Sequence, residues 1–277
     1  STSSEGGALA QRSAFAPLSR PLLVATIGLT LLAAIAFASL MYGAVQLSPG
    51  EAWSGLTSES DIFARNVVWQ IRFPRVLDAM LVGASLATAG ALLQGVTRNP
   101  LADPTILGVT AAAGLASAIV IVADPQVSQS GIAAACAAGG LGGAAILYVI
   151  AWRGAVSPVR LALAGVALSA FFGAAIVGLL SSSRTFLQTS LGFLAGGMYG
   201  SEWSDFRTML PYALPGFAGA LLVAGRLNVL ALGDDVAASL GILTDRTRLL
   251  ILAIVGLLTA AAVSSAGLVS FVGLVCP

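Results

Sequence analysis

Arg98-Asn99-Pro100-Leu101-Ala102-Asp103-Pro104-Thr105-Ile106-Leu107-Gly108 stands between two apolar runs. Upstream, 73–96 is nearly uncharged; downstream, 106–123 carries no charge at all. Two prolines, an Asn and an Asp, all between 99 and 104, restrict the backbone tightly. A turn that rigid between two apolar spans points to a segment packed inside the protein rather than a loop open to water.

The composition around it sets the solvent. Hydrophobic residues make up 57% of the 277 residues and charged residues 9%, and the mean hydropathy is +0.95. A soluble domain carries about 25% charged residues, so this chain cannot solvate a globular surface and lipid must be its solvent. Only helices and closed barrels satisfy their backbone there. Apolar runs of about 20 residues without period-2 alternation specify helices. The 32 glycines suit close helix contact in a bilayer. The expected fold is all-α: a polytopic transmembrane bundle.

The side chains that are missing exclude much. All 13 basic residues are Arg, with no Lys and no His. A retinal Schiff base, histidine-ligated haem, zinc proteolysis and serine–histidine hydrolysis are therefore ruled out. No Walker-A loop is possible without Lys, so any ATP hydrolysis belongs to a separate subunit. The span centres lack the acids that a proton-coupled carrier needs. Asp78 lies near the end of a span, three residues after Arg75, a spacing that allows a local ion pair. Cys136 and Cys276 read as small core residues, with neither a disulfide nor a metal site indicated. No cofactor and no nucleic-acid partner are expected.

Periodicity and polarity divide the chain as follows. Residues 1–19 form a polar tail, and 20–277 form one membrane domain. Spans are expected at 21–45, 73–96, 105–123, 131–152, 159–180, 206–224 and 249–266. Residues 46–70 read as a polar outer loop. The Gly-rich stretch 181–204 could hold a re-entrant helix around 189–195. With the N-terminus inside, inner segments hold eight arginines and outer segments five, which favours a cytoplasmic N-terminus.

Three polar segments stand out beside the opening turn. Leu232-Gly233-Asp234-Asp235 leads into Val236, Ala237, Ala238, Leu240 and Gly241. The two acids suit the first turn of a short helix, Val236, Ala237 and Leu240 would form one apolar face, and Gly241 suits a C-cap. Such a helix, within the polar stretch 226–248, needs a partner for its face. Arg72 and Arg75 flank Pro74 at an outer span mouth, where positive charge is disfavoured. Ser157-Pro158 forms a turn ahead of the fifth span.

Taken together these motifs resemble the FecCD-type permeases, the membrane subunits of type II ABC importers for iron-siderophores, haem and cobalamin. The resemblance rests on Arg98-Asn-Pro-Leu-Ala-x-Pro104 with Leu107-Gly108, Leu230-Ala-Leu-Gly-Asp234 with Ala237-x-x-Leu240-Gly241, Arg72-x-Pro-Arg75, the helix start at 160–168, and 264–277. It implies a bacterial cytoplasmic (inner) membrane protein that carries an iron(III)-siderophore-type chelate, or alternatively haem or cobalamin. It implies an ATP-binding subunit in two copies, an extracytoplasmic substrate-binding protein and a second permease copy as a homodimer, with lipid around them. On this resemblance 232–241 couples to the ATPase, Arg72 and Arg75 dock the binding protein, and Ser157-Pro158 belongs to the inner gate. The protein would have no catalytic site of its own. In the family, His and Arg follow the Pro that matches Pro277, and about three further helices complete a ten-helix subunit, so a chain truncated at its C-terminal end is expected. A secondary carrier or a non-transporting membrane receptor are the readings from other classes.

Overall fold

The computed structural model describes residues 19–58, 61–182, 196–198 and 200–277. The re-entrant helix expected around 189–195 lies outside them, as does most of the N-terminal tail. The described residues are helices and turns with no strand, and the chain divides into two compact units, 1–76 and 77–277.

The first unit opens with α1 (Ser19–Met41). From Leu22 to Ile35 its Leu, Ile and Val side chains are exposed all round, while Leu40 near its end is buried; the exposed stretch is what a span facing lipid requires. The segment expected to be a polar outer loop is instead helical. Helix α2 (Pro49–Thr57) is opened by a capping box, in which Glu51 N donates to Ser48 Oγ and Ser48 N to Glu51 Oε2 at 2.7 Å, with Pro49 in the first turn. Helix α3 (Ile62–Asn66) starts at Asp61, whose Oδ1 accepts from Ala64 N. It runs on through a π-helical turn (Val67–Arg72) into α4 (Phe73–Thr97). Period counting missed this because the helices are short and are opened by the polar caps Ser48 and Asp61, which read as loop residues. Leu40, Leu47, Ala52 and Val68 form its small core.

The second unit holds the rest of α4, then α5 (Val109–Ala123), α6 (Gln129–Ala151), α7 (Pro158–Ser182), α8 (Trp203–Ala231), α9 (Asp234–Ser239), α10 (Thr244–Ala266) and α11 (Val272–Val275). Helix α10 is central, with Ile251, Leu252, Val255 and Leu258 fully buried. Its backbone meets that of α6 directly: a Cβ on Gly140 would lie 2.5 Å from Gly256 O, and one on Gly256 2.8 Å from Gly140 O. Helix α8 packs on the same helix through Gly216 against Leu258 and Gly219 against Ile254. Small residues thus bring backbones together where lipid supplies no hydrophobic drive between helices.

Among the described residues, six helices are long and apolar enough to cross a membrane: 22–41, 62–97, 129–151, 158–181, 203–231 and 244–266. The protein is a multi-pass membrane protein, and its described residues hold six such spans where seven were expected. The third apolar run yields only α5, whose 15 residues extend about 22 Å against a hydrocarbon core of about 30 Å. Its first residues were consumed by the turn at 98–108. Its inner face, Val109, Ala112, Ala113 and Ser117, is buried in protein, so its length need not match the bilayer. Helix α8 runs further than the expected 206–224, because Arg226 and Asn228 continue it until Gly233, at φ 132, turns the chain.

Candidate functional site

Helix α4 ends on an unusual residue. Asn99 N reaches back to Gln94 O at 3.2 Å, and Arg98 between them has φ 50. This is a Schellman-type stop with Arg where Gly is the common choice. The left-handed conformation costs a non-glycine residue roughly 1 kcal/mol. Arg98 is held there by its side chain: Nε donates to Leu230 O at 3.0 Å and Nη2 pairs with Asp234 Oδ1.

The rest of the turn is built twice on one plan. Asn99 Oδ1 accepts from Leu101 N at 3.0 Å, around Pro100. Asp103 Oδ1 accepts from Thr105 N at 2.7 Å, around Pro104. Each is an Asx turn with Pro setting the first φ. The two halves differ in surroundings. Arg98 to Leu101 are exposed, whereas Ala102, Asp103, Pro104 and Gly108 are buried. The expectation of a packed turn therefore holds for the second half. Gly108 opens α5 at φ 76, with Ser169 N only 2.8 Å from where a Cβ would sit. Ser169 Oγ donates to Thr105 O at 2.8 Å, fastening the turn to α7.

Asp234 is the centre of the site. Besides Arg98, its Oδ1 accepts from Arg248 Nη2 at 2.7 Å. Partial burial raises its carboxyl, but the hydrogen bonds and charges of Arg248 and Arg98 outweigh this and hold it below the ordinary 3.8. Arg248 is only 1% exposed, and its Nη1 donates to Val156 O at 2.6 Å. Val156 N donates in turn to Asp245 Oδ1 at 3.1 Å. Val156 is next to Ser157, whose carbonyl accepts from Leu161 N as Pro158 opens α7. One carboxylate and two guanidiniums therefore join three segments far apart in sequence: the turn at 98–108, helix α9 and the turn at 152–158.

Arg248 and Asp245 went unnoticed in the sequence because they head an apolar span, where a charge reads as an interfacial anchor. Asp234 itself was expected to favour the helix dipole and to belong to the coupling segment, not to hold two arginines. Helix α9 forms where expected, and Gly241 follows it at φ 78. Its single apolar face does not form: Ala237 is buried in the bundle core, while Val236 and Leu240 are exposed. A helix of six residues seated on the bundle must turn one side inward, and Ala237 is small enough to fit. Leu232, Gly233, Asp235 and Ala238 lie around it, and all but the half-buried Gly233 are exposed.

The two arginines near the start of α4 part company. Arg75 is exposed. Arg72 is buried, and its guanidinium donates to Leu40 O at 2.5 Å and to Val45 O. It closes the C-terminal end of α1 and is no surface charge, which corrects its expected place beside Arg75. Arg72 is the last residue of the π-helical turn.

The tail of the chain also reaches the turn. A Cβ on Gly273 would meet Pro104 Cδ at 2.8 Å, and one on Gly90 would meet Gly273 O at 1.9 Å. Gln94 Nε2 donates to Leu274 O at 3.3 Å.

Comparison with known proteins places this arrangement. The FecCD transport family matches residues 31–277. The cobalamin import system permease protein BtuC of Halobacterium salinarum is 40% identical over 215 residues, 77% of this chain and 58% of that protein. The Fe(3+)-citrate import system permease protein YfmD of Bacillus subtilis is 42% identical, over 76% of this chain and 63% of that protein. The iron(3+)-hydroxamate import system permease protein FhuB of Bacillus subtilis is 37% identical, over 90% and 66%. The chain thus spans less than two thirds of the length of these curated relatives. A solved structure described as an inward-facing conformation of a metal-chelate type ABC transporter superposes with a TM-score of 0.77 at 31% identity, covering 90% of this chain and 78% of that one. The matched region takes in the turn, α9, the 152–158 turn and the tail that packs on Pro104, and on that footing the chain belongs to the FecCD transport family.

Proposed function

We propose that this protein is the membrane-spanning permease subunit of an ABC importer in the bacterial cytoplasmic membrane. Two copies face each other and pass an iron(III) chelate of the siderophore type, delivered by an extracytoplasmic binding protein. Two copies of a separate subunit hydrolyse the ATP, and this chain performs no covalent chemistry. The N-terminus and the Arg98–Asp234–Arg248 site face the cytoplasm.

The observation that carries this reading is the linkage through Asp234. An exposed short helix is tied by one carboxylate to a rigid turn ending α4 and to the turn opening α7. A partner that moves α9 pulls on both, which is what coupling of an ATPase to a gate at Ser157-Pro158 requires. The exposed Leu232, Val236 and Leu240 supply the apolar contact and Asp235 the polar one. Arg75 is the docking charge for the binding protein, its planar fork suited to a carboxylate. Names of iron-citrate and iron-hydroxamate permeases among the relatives support an iron chelate; the 40% identical cobalamin permease supports a corrinoid as the second reading.

The test is uptake into proteoliposomes supplied with the ATPase and a binding protein, comparing a ferric siderophore with cobalamin. ATP-dependent, uncoupler-insensitive uptake of one of them is expected. Uptake driven by an ion gradient without the ATPase would make the protein a secondary carrier. In the same preparation Asp235→Arg and Leu240→Asp should each weaken ATPase retention on an affinity column without changing the melting temperature. Undiminished retention in both would remove α9 as the contact.

A further inference from the structure

Arg72, Arg98, Arg160 and Arg248 are each committed to a protein acceptor. Arg226 and Arg246 are not. Neither has an ion pair or hydrogen bond among the described residues, and both line a groove of about 370 Å³ with Ile242, Leu243, Thr247 and Leu250. No acid lines it. Asp245, beside Arg246, is turned to Val156 N instead.

The groove's level in the membrane follows from helix register. Helices α8 and α10 run antiparallel, with Gly216 against Leu258 and Gly219 against Ile254. Continuing that register sets Leu222 level with Leu250, and Arg226 level with Arg246. Leu222 is 81% exposed and Leu250 43%. Each stands four residues from its arginine, so the pair shares a helix face about 6 Å apart along the axis. Two neighbouring helices therefore present, at matched heights, a leucine toward the apolar surroundings and an arginine one turn nearer the helix end. Leu243, also exposed, borders the groove.

We propose that this groove holds an anionic phospholipid, its phosphate between Arg226 and Arg246 and its acyl chains over Leu222 and Leu250. Two unpaired guanidiniums without an acid select a net negative head group, and the aliphatic surface one turn away selects a ligand with a tail. Basic pockets between spanning helices have this character. A free anion would make no use of the leucines. Gly241 of the proposed coupling segment also lines the groove, so displacement by the ATPase subunit is the outcome that separates a lipid from a protein occupant. The inference rests on the membrane-spanning fold and not on the transported substrate.

The experiment is native mass spectrometry of the purified protein in neutral detergent with phosphatidylglycerol or phosphatidylcholine added. Wild type should retain phosphatidylglycerol preferentially, and Arg226→Gln with Arg246→Gln should weaken retention by about thirtyfold. Arg153→Gln, an exposed arginine elsewhere, should leave it unchanged, and all variants should melt alike because neither groove arginine has a partner to lose. Equal retention by wild type and the double variant would overturn the proposal. So would release of the lipid by millimolar inorganic phosphate, which would mark a free-anion site, or its one-for-one displacement by the ATPase subunit.

Discussion

Asp234 differs in value to its two partners because they differ in burial. Arg98 stands at the surface, where an ion pair contributes about 0–1 kcal/mol. Arg248 is enclosed, and loss of its counter-charge leaves a buried cation, a cost of about 3–5 kcal/mol. Thermal unfolding in detergent should accordingly show Asp234→Ala destabilising strongly and Arg98→Ala by less than about 1 kcal/mol. Similar small losses for both would mean that Arg248 finds another acceptor. The same carboxylate sets an acid limit. Its folded value lies below its unfolded 3.8, so its contribution is complete above that pH and is lost as pH falls through the lowered value. Wild type should lose stability relative to Asp234→Asn only on that acid side. The two arginines near the start of α4 provide a further contrast. Arg72→Ala strands the carbonyls of Leu40 and Val45, and should lower stability by about 1–3 kcal/mol. Arg75→Glu should weaken binding-protein affinity, most at low salt. A salt-independent affinity for Arg75→Glu equal to wild type would count against Arg75 as the docking charge.

At the scale of elements, helix contacts in this bundle are decided by what each glycine faces. Gly140 lies against the backbone of Gly256, which cannot swing aside, whereas a Cβ on Gly142 would meet nothing within 4 Å. Gly140→Ala should therefore push α6 and α10 apart and cost about 1–3 kcal/mol. Gly142→Ala, two residues on, should be neutral or slightly stabilising through helix propensity. A comparison of melting temperatures decides, and equal effects would show that the helices do not cross at Gly140. The turn at 98–108 allows the same kind of discrimination. Pro104 is buried and touches the tail segment near Gly273, while Pro100 is exposed. Transport should fall more with Pro104→Ala than with Pro100→Ala, at comparable expression; the reverse order would locate the turn's importance in its exposed half.

Across the whole molecule, the ion pair of Arg98 with Asp234 requires the turn after α4 and helix α9 to lie on one side of the membrane. Leu101 and Leu240 are both well exposed there. With Cys276 replaced by Ser, and Cys136 buried and shielded, Leu101→Cys and Leu240→Cys should react with an impermeant maleimide from the same side of vesicles. Under the proposed orientation that side is the cytoplasmic one. Labelling from opposite sides would break the site described here, and labelling of both from outside would reverse the orientation alone.

Composition sufficed for the fold class, because a chain with 9% charged residues has no surface to offer water and helices are what lipid permits. The turn at 98–108 was legible for a local reason: Asn-Pro and Asp-Pro dictate their own hydrogen bonds within two or three residues. Helix α9 and its flanking glycines were legible likewise. The bridge through Asp234 was not, since its partners lie 136 and 14 residues away and only packing brings Arg98 and Arg248 to one oxygen. Nor could period counting separate a span from the short buried α5, or reveal that Arg72 turns inward while Arg75 faces out. Apolarity tells a residue to leave water; whether it meets lipid or protein is settled by its neighbours in space, and so by the tertiary structure.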